Sequence, residues 1–256
     1  MLETAKKAAK EGGKTALGHY KKGMEYEKKD DDTLVSAADR ETEETIKRII
    51  LEKFPGHAIK GEETGRTGKG SIVWHVDPID GTSNFVSHIP YFCVSVAVEK
   101  DGRFVIGVIY DPIKDEMYYA EEGKGAFVNG KRIHVSDRSF RDSSHVIHVS
   151  FRNNDSEKKH LIYREMAKIA LRFRNFGACA LELAELARGR VVSFIGDGTN
   201  SYDFAGGAVI IREAGGIATD CFGNELTDKS KTILAANSRK SHEKVLAITK
   251  KFYESL

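Results

Sequence analysis

The way apolar runs are distributed constrains this chain more than any other feature. Four strand-like runs crowd the first half: SIVWHVD (71–77), FCVSVAVEK (92–100), FVIGVIYD (104–111) and DEMYYAEE (115–122). The second half alternates instead. After HVIHVSF (145–151), a helix is predicted over 157–170, a strand at LRFRNFG, a helix at ACALELAELARG and a strand at RVVSFI. A helix from Asp203 to Ala214, a strand at TILAAN and a final helix follow. Strands gathered first and alternation later predict layered α and β with mixed sheets, an α/β (α+β) fold.

Residues 1–22 and 37–54 read as helices. In the second, Ser36 is the expected N-cap, Asp39 its box partner, and Ile46, Ile49, Ile50 and Phe54 share one face. Asn129-Gly130 within GKGAFVNGKRIHVS is a strong hairpin signal. GHAIKGEETGRTGKG (56–70) reads as a mobile glycine-rich loop with Glu62 at its base. A chain of 256 residues fits one catalytic domain over 1–256. A division near residue 140, into 1–140 and 141–256, is the alternative organisation.

Composition serves mainly to exclude. With 40 Lys and Arg against 38 Asp and Glu, there is no bulk electrostatic argument for nucleic acid or a membrane surface. The early lysines are interrupted by acids and read as a solvated helix face. No signal-like segment and no transmembrane-length apolar run is seen. Cys93, Cys179 and Cys221 are isolated, which suits a reducing compartment and excludes a paired-cysteine zinc ribbon. The expected location is cytoplasmic. A cysteine phosphatase would need Arg six residues after a cysteine, where Glu99, Glu185 and Thr227 stand instead. GRTGKG lacks the glycine spacing and the Ser or Thr of a P-loop.

The segment WHVDPIDGTSNF (74–85) runs an apolar strand into two acids, Asp77 and Asp80, either side of a proline. Acids this close repel unless a cation lies between them. Pro78 limits the path of the chain, so both carboxylates and the Ile79 carbonyl could share one small volume. The N–H groups of Gly81 and Thr82 could then hold an anion. Such a set suits magnesium, although Asp-x-x-Asp before glycine is also a common polar turn. His75 reads as a core or edge histidine.

This segment resembles the signature W-x-x-D-P-I/L-D-G-T-x-N-F of the inositol monophosphatase family of magnesium-dependent, lithium-sensitive phosphatases. YDFAGGAVIIREAGG (202–216) resembles a second signature of that family, and TLVSAAD (33–39) matches a third in part. GEE (61–63), GKGAFVNGKRIHVS and AAN (235–237) fall in the same order, so the resemblance spans nearly the whole chain.

The resemblance implies a five-layered αβαβα sandwich of the sugar-phosphatase type, a homodimer, and two magnesium ions with a weaker third. By it, Glu62, Asp77 and the Ile79 carbonyl hold one metal, and Asp77, Asp80 and Asp203 hold another. Gly81 and Thr82 take the phosphate, while Thr82 and Asp39 relay to the attacking water. Glu63 orients a ligand or water. The reaction implied is in-line hydrolysis of a small-molecule sugar or polyol phosphate monoester.

Several positions depart from the family pattern. Thr33 stands where an acid is usual, Ser36 where threonine is, and Tyr202 where tryptophan is. A substrate-contacting glutamate of the animal enzymes falls at Gly196, with Asp197 adjacent. The usual G-S/T-A segment is Gly177, Ala178 and Cys179. RNFGACALELAELARGRVVSFI is more similar to the compact archaeal enzymes acting on both inositol 1-phosphate and fructose 1,6-bisphosphate. For a second phosphate, Arg174, near Arg172, is the candidate cation. Histidinol phosphate and 3′-phosphonucleotides are alternative substrates. A non-catalytic regulatory role is the alternative of another class, since some bacterial relatives associate with the transcription machinery.

Overall fold

In the computed structural model, residues 1–22, 26–28, 34–149 and 156–254 are described. The first half contains α1 (Leu2–Lys22), β1 (Tyr26–Lys28), β2 (Leu34–Ser36), α2 (Ala37–Lys53), β3 (Ala58–Gly61), β4 (Gly65–Thr67), β5 (Ile72–Asp80) and α3 (Thr82–Val86). It continues through β6 (Cys93–Lys100), β7 (Arg103–Asp111), β8 (Glu116–Glu121), β9 (Ala126–Val128) and β10 (Lys131–Ile133). The second half runs β11 (Ser144–Val149), α4 (Ser156–Ala167), β12 (Arg172–Arg174), α5 (Cys179–Ala187), β13 (Ser193–Asp197) and α6 (Ser201–Glu213). It ends with β14 (Ile217–Thr219), β15 (Thr232–Ala236) and α7 (Arg239–Glu254).

Two mixed sheets result. The first has the strand order β10-β9-β8-β7-β6-β5-β3-β4, and only its β3–β5 pair is parallel. The second has the order β12-β11-β13-β15-β14, in which β11 lies parallel to both β12 and β13.

Alternation along the strands then stacks the layers. Trp74, Val76, Val94, Val96 and Val98 face α1 and α2, closing a core on Ala5, Ala8, Ile46 and Ile50. Ala97, Phe104 and Ile109, among others, face α5 and α6, which also receive Val146, Phe194, Ile233 and Ala235 from the second sheet. The far face of that sheet, with Ile147, Ile195 and Leu234, packs on Ile162, Met166 and Val245 of α4 and α7. The order is α1/α2, sheet, α5/α6, sheet, α4/α7, the expected αβαβα sandwich.

Sequence and structure differ most at two places, besides the short α3 and β14, which the sequence reading did not include. The stretch 56–70 is not a plain glycine-rich loop: it folds as the β3–β4 edge hairpin, with Gly61 paired to Gly65. Its glycines hide two short strands whose partner, β5, is supplied from elsewhere in the chain. The strand expected to stop at Asp77 continues to Asp80 through an irregularity. Ser36, the expected cap, lies outside the described side chains, and Thr33, the third motif's first position, lies outside the described residues.

Candidate active site

Three steps separate Asp77 from Asp80, which in a regular strand would put them on opposite faces. Their partners on β6 are Ser95 and Cys93, only two apart, so one extra residue is accommodated on β5. This is a β-bulge, a position where proline is tolerated in a sheet. It turns Asp80 to the face already occupied by His75 and Asp77, toward α5 and α6. Asp77 holds the bulge by accepting the Ile79 N–H at 3.1 Å.

On that face the acids meet helix N-termini. Asp80 accepts the N–H groups of Cys179 at 2.8 Å, Ala180 at 2.8 Å and Leu181 at 3.3 Å, so it caps α5 across the fold. Asp203 lies in the first turn of α6 and accepts the Asn200 N–H at 2.6 Å. Gly81, at φ +95, turns the chain into α3, and a Cβ there would approach the Ala178 Cβ to 3.0 Å. Glycine is therefore required twice over, for its dihedral and for close approach to α5.

Glu62 is presented by the turn between β3 and β4, a placement that sequence reasoning left unexplained. Glu43, fully buried on α2, accepts the Glu63 N–H at 2.8 Å and the Thr64 hydroxyl. A Cβ on Gly61 would sit 2.4 Å from the Glu43 carboxylate, so glycine is needed for the turn to close. Glu43 lies four residues after Asp39 on the same helix, which was the available hint.

The acids bear on one another's charge. Burial, then the charges of Glu62, Asp80 and Asp203, hold the Asp77 carboxyl well above the ordinary carboxylate range. Burial pushes Asp203 up to about 7, with Asp80 adding to the rise and the Asn200 N–H opposing it. Burial likewise pushes Asp80 up to about 6, against the pull of His148, the Cys93 thiol and the Cys179 N–H.

A cavity of about 320 Å³ opens on this group, lined by Glu62, Asp80, Gly81, Thr82, Gly177, Cys179, Asp197 and Asp203, and also by His148 and Asn175. A larger cavity of about 610 Å³ lies near the start of α7, but its lining is basic and hydroxyl-rich, with Asp137 its one acid. The buried acids and the converging helix N-termini mark the smaller one as the candidate site.

Among the described residues, no set of three or more His, Cys, Asp or Glu side chains stands as a finished metal-holding group. Magnesium does not need one, because it is usually held by one or two carboxylates plus waters and phosphate oxygens. The clustered acids, raised by burial and by each other, fit a divalent cation.

Other expected residues fall as follows. Thr82 donates its hydroxyl to the Ile79 carbonyl at 3.1 Å. Asp39 is buried at the start of α2, beside Ala38, which packs with Ile79 and Phe85. Ala178 is buried at the N-cap of α5, with its methyl group in the core. Arg174 lies on β12, donates to the Phe173 carbonyl and lines a separate cavity with Lys114 and Arg190. His75 is a buried core histidine, bonded to Ser201 at 2.9 Å and to Glu99 at 2.8 Å. Asn84 clamps the site by donating to the carbonyls of Tyr91 and Phe176.

The sequence profile of the inositol monophosphatase family matches residues 1–253. The chain belongs to the inositol monophosphatase family. It is 35% identical over 262 residues to the fructose-1,6-bisphosphatase/inositol-1-monophosphatase of Aquifex aeolicus, covering 99% of this chain and 96% of that protein. It is 32% identical over 250 residues to the Nus factor SuhB of Pseudomonas aeruginosa, covering 93% and 92%. The solved structure of an IMPase from Thermotoga maritima superposes with a TM-score of 0.89 at 33% identity, covering 99% and 98%. Membership and these relatives point to a phosphatase of the inositol monophosphatase family, which is generally magnesium-dependent. No helix among the described residues is long and apolar enough to cross a membrane.

Proposed function

We propose that this protein hydrolyses a sugar or polyol phosphate monoester, inositol 1-phosphate or fructose 1,6-bisphosphate, in a magnesium-dependent reaction. The observation that carries the reading is the meeting of buried acids and helix N-termini around one cavity. Glu62, Asp77, Asp80, Asp203 and the Ile79 carbonyl are the assigned metal-holding oxygens. A magnesium ion held by them would offset their negative charge and supply Lewis acidity to the phosphoryl group.

The chain's own residues do the rest. Backbone N–H groups of Gly81 and Thr82, at the start of α3, hold phosphoryl oxygens. The Thr82 hydroxyl, which here donates to the Ile79 carbonyl, would turn to Asp39 as its acceptor and orient the attacking water, with Glu63 in support. Water displaces the alcohol in line, a reaction in which positioning and electrostatics dominate. Asp197, Gly177 and Cys179 line the alcohol side, and Arg174 could reach a second phosphate only from the neighbouring cavity. A cytoplasmic homodimer is the proposed assembly and location.

Relatives named as Nus factors, at 32% identity, support a second reading in which the fold serves as a binding protein. One experiment separates the two. Phosphate release from inositol 1-phosphate, fructose 1,6-bisphosphate and histidinol phosphate is followed across a magnesium titration, with Asp77→Asn as control. Magnesium-dependent release that the variant lacks supports the phosphatase; release from none of the three favours the binding protein.

A further inference from the structure

Three histidines on the two sheets are largely or wholly buried, and they differ in one respect. His75 engages both ring nitrogens, with Ser201 and Glu99. His145 does the same, with Ser193 at 2.7 Å and the Phe140 carbonyl at 2.8 Å. His148, on β11, spends only Nδ1, on Glu182 at 2.6 Å. Its Nε2 has no hydrogen-bond partner among the described residues, and its side chain is 25% exposed, at the wall of the active-site cavity.

The ring is held in place. Glu182 is fully buried on α5, and its other oxygen accepts the N–H groups of Phe176 and Gly177. The carboxylate therefore has no lone oxygen to offer the cavity and serves to orient the imidazole. The ring also stacks on Phe194, with centroids 6.0 Å apart. Its cross-strand neighbour is Gly196, where a Cβ would sit 2.8 Å from the Phe194 ring that His148 stacks on, so glycine leaves that stack room. Two strand residues of similar burial that satisfy themselves internally are structural. One that keeps a nitrogen for the cavity is built to meet a ligand.

We infer that His148, oriented by Glu182, is a specificity-determining residue that hydrogen-bonds a hydroxyl of the substrate's alcohol portion, favouring polyhydroxylated esters. A hydroxyl both donates and accepts, so it can partner Nε2 whichever way the ring is protonated. Asp80, Gly81 and Thr82, assigned above to the metal and the phosphoryl group, line the same cavity, and His148, Asn175 and Asp197 are among its other polar lining residues. Glu182 is a positioning residue in this scheme. The inference rests on the phosphatase reading above.

The test compares kcat/KM for inositol 1-phosphate and for phenyl phosphate, which carries the same phosphoryl group and no hydroxyl, both with magnesium. His148→Ala should cut the preference for the polyol ester by about tenfold, mainly through KM, as loss of one hydrogen bond to substrate predicts. His148→Gln, which keeps a hydrogen-bonding group, should recover part of the preference. His148→Phe keeps the stack on Phe194 without the nitrogens and should match His148→Ala, so it carries the test if the smaller side chain impairs folding. Equal proportional losses on both substrates, or an unchanged ratio, would overturn the inference and leave the pair structural. Wild-type protein that cleaves neither ester overturns the phosphatase reading itself, and this inference with it.

Discussion

Two stretches of this chain share a local design and differ at one residue. Asp77-Pro78-Ile79-Asp80 closes β5, and Asp111-Pro112-Ile113-Lys114 follows β7. In both, the buried aspartate accepts the N–H two residues on, at 3.1 Å for Ile79 and 2.9 Å for Ile113. At the second, Lys114 returns its ammonium to the Asp111 carboxylate at 3.0 Å, so the turn carries its own counterion. At the first, the fourth residue is Asp80, which adds a negative charge instead. An aspartate-proline turn is thus an ordinary way to leave a strand. The copy without its own cation is the one to which the proposal above assigns magnesium.

The largest effect should come from neutralising the two aspartates in turn. Asp77→Asn should reduce magnesium-dependent turnover by about a thousandfold or more, the scale on which a polarising metal contributes. Asp111→Asn should leave turnover per folded molecule intact. Comparable losses in two well-folded variants would break the comparison.

Magnesium and pH sharpen it next. Burial raises Asp203 to about 7 and Asp80 to about 6 from 3.8, so the metal-free folded chain holds protons that the unfolded chain has released. Stability of metal-free protein should therefore fall as pH climbs from about 4 to 7, since the unfolded state binds fewer protons there. Added magnesium should restore it most at the upper end, by about 2.7 kcal/mol at a hundredfold excess over Kd. A melting-temperature series with and without magnesium at pH 5.5 and 7.5 measures this. A gain that shrinks as pH rises would contradict the assignment.

Smaller effects belong to the self-neutralised turn. Asp111→Asn should cost about 1–2 kcal/mol in urea unfolding, because charge-assisted bonds to two N–H groups and one ammonium are weakened. Lys114→Met should cost about 0.5 kcal/mol or less, as expected for a pair whose lysine is 41% exposed. A larger loss from the lysine than from the aspartate would reverse the ranking of backbone bonds over the ion pair.

Much of this site was legible in the chain. Asp77, Asp80, Gly81, Thr82 and Asp203 stand in short contiguous motifs, where residue type and spacing carry the chemistry. Strands β5 to β8 of the first sheet, the helices of the second half and the Asn129-Gly130 hairpin were legible for a similar reason: period and turn chemistry are local. Asn129 and Gly130 both take positive φ, as that turn demands.

Other features depended on partners far along the chain. The bulge that brings Asp80 onto the face of Asp77 exists only in the pairing of β5 with β6. Short β3 and β4 are strands because β5 lies beside them, and Glu62 is presented because Glu43 grips the turn from another helix. Asp80 caps a helix about a hundred residues away, and His148 gains its orientation from Glu182 across the second sheet's helical layer. The sequence by itself determined which acids and glycines are available, and the family to which they belong. Only the tertiary structure decided which of them meet, because hydrogen bonds and burial act through space between segments whose separation no local pattern encodes.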